Sequence, residues 1–130
     1  MDDKKCPESK DSLGHKTWVL LHSIAAHFPL TPTEKTKQSY KDFFETFPYI
    51  YPSYSCAKDF QELMSSTPPE TESRESLQLW LCKVHNIINK KLNKQEFSCK
   101  IKDLELRWRK GPPECYPEQA DDIDENNIVF

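Results

Sequence analysis

Glycine is nearly absent from this chain: Gly14 and Gly111 are its only 2 among 130 residues. A G-x-G-x-x-G dinucleotide loop and a G-x-x-x-x-G-K-[ST] phosphate loop are therefore both excluded. So few glycines also argue against an all-β fold joined by tight hairpin turns. No apolar run approaches the roughly 20 residues that cross a bilayer, which predicts no membrane span. The opening, Met1-Asp2-Asp3-Lys4-Lys5-Cys6, lacks the apolar stretch of a secretory signal. No C-x-x-C pair occurs anywhere. What is present suits one small domain, with 36% apolar and 12% aromatic residues.

Charge is unevenly spread. From Tyr116 to Phe130 there are five acids and no base, while Cys82 to Lys110 holds nine Lys or Arg against three acids. That second segment attracts an anionic ligand, or it is simply the solvated face of a helix.

Periodicity predicts helices throughout, and no strand alternation is found. After a polar, flexible arm over residues 1–12, a first helix carries His15, Trp18, His22 and Ala25 on one stripe and ends at Pro29. Thr31-Pro32-Thr33-Glu34 spells a second helix start, with Thr31 as cap and Glu34 closing a capping box. That helix buries Tyr40, Phe43, Phe44 and Phe47 and stops near Pro48. A third opens around Ser53, after Tyr51-Pro52, and turns Cys56, Ala57, Phe60, Leu63 and Met64 inward. Ser73 caps the longest helix, whose apolar stripe is Leu77, Trp80, Leu81, Val84, Ile88 and Leu92. A short fifth helix holds Ile101, Leu104 and Trp108, before Pro112-Pro113. The reading is all-α: a four-helix bundle with a short fifth helix, over residues 13–111, followed by an acidic, disordered tail at 112–130.

Cys82, His85, Asn86 and Asn89 form a polar stripe at i, i+3, i+4, i+7 beside the apolar one. Such groups either cap neighbouring loops or line a pocket between helices. His15, Trp18 and His22 supply a second imidazole and indole stripe, which favours a pocket for a flat, hydrogen-bonding ligand. The five cysteines, Cys6, Cys56, Cys82, Cys99 and Cys115, point to disulfides or a metal. Cys82-x-x-His85 could chelate zinc, but no partner pair completes a site, so no metal is expected. Cys82 with Cys99 reads instead as a staple, contributing on the order of 3 kcal/mol in the chain-entropy model.

Leu13-Gly14-His15-Lys16-Thr17-Trp18 and Leu21-His22-Ser23-Ile24-Ala25-Ala26 resemble the L-G-R-x-x-W…L-H-x-x-A-A opening of the ERV/ALR sulfhydryl oxidases. Tyr51-Pro52-Ser53-Tyr54-Ser55-Cys56 resembles that family's Y-P-C-x-x-C, with serine replacing the first cysteine. Trp80-Leu81-Cys82, His85-Asn86, Asn89 and Lys91-Leu92 match W-L-C-x-x-H-N-x-V-N-x-K-L, and Phe97-x-Cys99 and Arg107-Trp108 follow. The resemblance covers about residues 13 to 110.

What the resemblance implies is a dimeric, FAD-containing bundle with FAD at its mouth. Such enzymes oxidise protein dithiols and pass electrons to oxygen or cytochrome c. The positions matching FAD contacts are His15, Trp18, His22, Tyr51, Cys56, His85, Asn86, Asn89, Lys91, Lys94 and Trp108. The basic excess suits a pyrophosphate. By the same resemblance Cys56 lies against the flavin, Cys82–Cys99 is the structural disulfide, and Cys6 and Cys115 pair between subunits. Ser53 stands at the catalytic position that accepts substrate electrons, so this chain is expected to be an inactive or trapped form. His15 replaces the usual Arg, and two extra residues separate Cys99 from Arg107-Trp108. Family members occur in several compartments, and the mitochondrial intermembrane space is the expectation here. The rival reading is a helical binding module with structural cysteines, its basic face holding a partner protein or nucleic acid.

Overall fold

The computed structural model describes residues 5–115, so the expectations for residues 1–4 and for the tail from 116 onward lie outside the described residues. Five α-helices follow one another: α1 (Lys10–Ala26), α2 (Glu34–Ile50), α3 (Tyr54–Ser66), α4 (Arg74–Lys91) and α5 (Ile101–Glu105). The last runs directly into a π-helical turn, Leu106–Lys110. α1 packs on α4 and on the π turn, α2 packs on α3, and α4 packs on α5. The all-α bundle with a short appended helix is therefore the architecture observed. Among the described residues there is no strand.

Local chemistry sets the helix starts. Ser9 caps α1 by accepting from the Ser12 N–H at 3.1 Å, and Ser73 opens α4 with a reciprocal box to Ser76. Two expected boundaries shift. α1 begins at Lys10, inside the arm expected over residues 1–12, because Ser9 is the residue able to cap it. Thr33, not Thr31, caps α2, accepting from Thr36 N–H at 3.1 Å. α2 also runs through Pro48 to Ile50. Pro48 supplies no N–H to the ladder, a cost of one helical hydrogen bond, while its ring is buried.

Leu21, Ala25 and Phe28 meet Phe44, Met64, Leu77, Trp80, Leu81 and Val84 in one core. Each of the Leu, Val, Phe and Met side chains among them stabilises the fold by about 1.5–3 kcal/mol when fully buried. Phe44 meets Trp80 edge to face, with ring centroids 5.3 Å apart, and the Trp80 indole N–H donates to Thr67 C=O at 2.8 Å. Two residues expected in the core stay outside it, Phe43 (37% exposed) and Leu92 (56% exposed). Leu92 lies just past the last turn of α4, where Asn93 takes the left-handed conformation (φ 56°). Asn93 N–H then reaches Lys90 C=O, and Lys94 N–H reaches Asn89 C=O at 2.8 Å, a Schellman closure.

Candidate functional site

A cavity of about 610 Å³ opens where the two ends of α1 and α3 approach α4 and the π turn. That volume lies within the range of about 300–1,000 Å³ usual for small-molecule and cofactor sites. α1 supplies His15 and Trp18, the chain after α2 supplies Tyr51, and α3 supplies Ser55, Cys56 and Phe60. α4 supplies His85, Asn89 and Lys91; Lys94, Phe97, Arg107 and Trp108 close the remaining side.

Three rings of the cavity wall, Trp18, His85 and Trp108, join the buried His22 in an array of four. Trp18 stacks on His85 at 3.8 Å between centroids, with 6° between the planes. Trp108 stacks on His22 at 4.6 Å and 8°. A 2.8 Å hydrogen bond between His22 Nε2 and His85 Nδ1 joins the two pairs. One ring donates its N–H and the other presents a bare nitrogen, so the pair is satisfied only while at most one ring is charged. Burial pushes the His22 pKa down to about 3, helped by the charges of His85 and Arg107. Burial likewise pushes His85 down to about 4, helped by Lys94. Both rings are neutral near pH 7.

Two features aim at a ligand. Asn89 is 5% exposed, and its side-chain N–H₂ has no acceptor among the described residues although it borders the cavity. An orphaned donor of this kind calls for an acceptor from whatever fills the space. Lys10, Lys91, Lys94 and Arg107 outnumber Asp11 and Asp59 on the cavity wall, and Lys91 is ion-paired with Asp59 at 3.4 Å. The remaining positive charge suits phosphate oxygens. Flat rings, an orphan amide donor and spare cations together fit a dinucleotide such as FAD.

Nine of the eleven positions assigned to a cofactor line this cavity: His15, Trp18, Tyr51, Cys56, His85, Asn89, Lys91, Lys94 and Trp108. Two do not. His22 is 3% exposed and sits behind His85. Asn86 turns to the loop after α4: its amide donates to Phe97 C=O at 3.0 Å, and Phe97 N–H donates to its Oδ1 at 2.8 Å. Asn86 therefore clamps the segment carrying Cys99, which is disulfide-bonded to Cys82 with Cα atoms 5.8 Å apart. That bond takes the Cys82 sulfur out of any Cys82-x-x-His85 zinc arrangement.

Trp108 reaches the cavity although two extra residues precede it. Trp108 lies within the π turn, a wider coil closed by Gly111 N–H to Leu106 C=O at 2.9 Å. Gly111 then leaves at φ 66°, a conformation that favours glycine. The sequence reading omitted Lys10, Phe47 and Arg107 from the site. Arg107 belongs to the basic excess already evident, whereas Lys10 falls in the segment read as an arm.

Ser53 is the N-cap of α3, yet its side chain makes no capping hydrogen bond. Its backbone C=O accepts from Ala57 N–H at 2.8 Å. Cys56, one turn in, is half-buried with a free thiol and lines the cavity beside Ser55. Cys6 and Cys115 are exposed free thiols away from the cavity wall.

Residues 15–109 match the Erv1 / Alr family model. The chain is 44% identical to the mitochondrial FAD-linked sulfhydryl oxidase ERV1 of Saccharomyces cerevisiae, over 81% of this chain and 54% of that one. It is 35% identical to the FAD-linked sulfhydryl oxidase ERV1 of Oryza sativa, over 99% of this chain and 64% of that one. The chain thus spans between half and two thirds of the length of these relatives. The crystal structure of the yeast Erv1 core superimposes with a TM-score of 0.80 at 42% identity, covering 85% of this chain and 92% of that one. Matching motifs, bundle and ring-lined cavity agree, and the chain belongs to the Erv1/Alr family.

Proposed function

We propose that the chain is an FAD-binding thiol-oxidase core whose redox half is altered at position 53. The observation that carries the reading is the cavity wall. The Trp18–His85 stack, the orphan Asn89 amide and the Cys56 sulfur converge on one space from α1, α4 and α3. The relatives named FAD-linked sulfhydryl oxidases support it.

FAD, when bound, supplies a two-electron acceptor for thiols that can return electrons one at a time. The chain's own residues do the rest. Trp18 and His85 offer a flat face, Asn89 donates to a heteroatom, and Lys94 and Arg107 offset phosphate charge. Phe60, packed on Trp18, gives the cavity an apolar wall beside Cys56 on α3. Cys56 presents its sulfur at the wall, where a family enzyme would hold a Cys56 disulfide to residue 53. Serine has no sulfur to join, so that disulfide cannot form here.

Substrate dithiols of proteins, with oxygen or cytochrome c as final acceptor, complete the reading. So do a homodimer and a mitochondrial location, more finely the intermembrane space. The exposed Leu20 and Phe43 are apolar surface that a second copy would cover. The mitochondrial relatives of two yeasts support the location.

The test is the absorption spectrum of the purified chain with FAD quantified after denaturation. About one FAD per chain is expected. A colourless protein that takes up no added FAD would overturn the reading in favour of a binding module.

A further inference from the structure

Trp108 and Arg107 reach the cavity on a π turn of 5 residues. A helix that short is marginal by itself, and the π form is rare. Yet Trp108 stacks on His22 at 4.6 Å with 8° between the planes, and Arg107 Cζ lies 4.2 Å from the centroid of the Trp108 ring. Something outside the turn holds it in place.

Behind the turn lies a polar cluster that the cofactor reading does not use, since Gln78, Glu105 and Arg109 are not among the residues of the cavity wall. Both oxygens of the Glu105 carboxylate are engaged. Gln78 Nε2 donates to Oε1 at 3.1 Å, and Arg109 Nε donates to Oε2 within an ion pair. The Arg109 side chain is 4% exposed and that of Glu105 16%, so this is a shielded pair and not a solvated one. Exposed pairs fix little, whereas a charge-assisted pair out of water holds one geometry.

Glu105 and Arg109 stand at i and i+4 and bracket residues 106–108, the stretch that carries Arg107 and Trp108. Gln78 ties that bracket to α4, two turns before His85 on the same helix face. Arg109 is thus held to the α4 side while Trp108, one residue earlier, meets His22 of α1. Gln78 Oε1 is buried with no donor among the described residues. A bare buried acceptor destabilises the fold. Gln78 therefore weakens the fold at one atom while its other polar atom fixes Glu105.

We propose that Gln78, Glu105 and Arg109 form a positioning clamp for FAD retention. They act through Trp108, with Arg107 over it, by setting that ring against the cavity. The proposal rests on the FAD reading for its ligand. α4 then serves the site twice, with His85 and Asn89 at the wall and with Gln78 from behind.

FAD titration of the purified, flavin-free chain, followed by flavin fluorescence, tests the clamp in a double-mutant cycle with Trp108→Phe. Glu105→Gln keeps the side-chain shape but removes the ion pair, and Gln78→Met removes the tie to α4. Each should weaken FAD binding about tenfold when Trp108 is present, the order of one aromatic stack. In the Trp108→Phe background the loss should be less than about twofold. Equal losses in the two backgrounds would overturn the proposal, because the variants would then act on the fold at large. Unchanged FAD affinity would overturn it too.

A second measurement needs no flavin. The near-UV circular dichroism that the chain loses in Trp108→Phe reports the Trp108–His22 stack. Both variants should lower that signal by at least about half while the far-UV spectrum stays the same. A full Trp108 signal in both would overturn the clamp, whatever the flavin content. Loss of the signal in a chain without FAD affinity would sink the FAD reading and leave the clamp on Trp108 standing. Where Glu105→Gln fails to fold, Gln78→Met carries the same two measurements.

Discussion

The two sides of the cavity are built to different standards. On the α1–α4 side, four stacked rings, the His22–His85 hydrogen bond, the Asn86 clamp and the Cys82–Cys99 bond leave each side chain one arrangement. On the α3 side, Ser53 caps nothing with its side chain, and Cys56 is half-buried without a sulfur partner. The family motif on the first side departs from the usual pattern at His15 and in the spacing before Trp108, while on the second side serine replaces a cysteine at position 53. Holding a flat cofactor and exchanging electrons with thiols are thus separable in this fold. On the proposed reading, the serine at position 53 removes the second capacity without touching a residue that serves the first.

The sharpest way to test that separation is Ser53→Cys. It should raise dithiothreitol-driven oxygen consumption on the order of 10²-fold, because a nucleophilic dithiol is regenerated. FAD content should stay the same. Turnover by the unaltered chain should stay near background.

On the rigid side, replacing Cys82 and Cys99 together by serine should cost about 3 kcal/mol of stability in the chain-entropy model. Urea denaturation would show the shift in midpoint. An unchanged midpoint would mean that the Asn86–Phe97 bonds hold the loop without help.

Acid should loosen the rigid side first. His22 and His85 titrate at about 3 and about 4 when folded, against 6.5 for the free side chain. Between those values the unfolded chain binds protons that the folded one refuses, so stability is complete above about pH 6.5. It falls as pH drops towards 4 and then 3, with a slope of up to about 1.4 kcal/mol per pH unit for each proton. His85→Phe should flatten the urea midpoint over that window.

The smallest effect is expected at Asn89. Asn89→Leu should weaken FAD binding about tenfold, the loss of one hydrogen bond of roughly 1.5 kcal/mol, readable by equilibrium dialysis. Unaltered affinity would show that the orphan amide meets solvent.

Much of this was legible in the sequence, because helical spacing places residues on faces. The stripe of α4 shows both the power and the limit. Cys82, His85, Asn86 and Asn89 were read as one polar band, yet it has two edges. Asn86, one turn after Cys82, holds the 97–99 loop, while Asn89, one turn after His85, faces the cavity. Both readings of such polar groups are thus realised on one helix, and only tertiary packing divides them. His22 shares the α1 face of Trp18 but lies behind His85, a depth that leaves no trace in periodicity. The π turn that carries Trp108 into the cavity was hidden too, because wider coiling depends on what Trp108 stacks upon. The early start of α1 could have been read from Ser9, an eligible cap overlooked in a polar stretch.

The most direct measurement is anaerobic mixing of dithiothreitol with the purified, FAD-containing chain and its Ser53→Cys variant, following flavin absorbance. The account predicts equal FAD content, with bleaching at least about ten times faster in Ser53→Cys than in the unaltered chain. Equal bleaching rates in the two proteins, at equal FAD content, would contradict the claim that position 53 is where the redox half is broken.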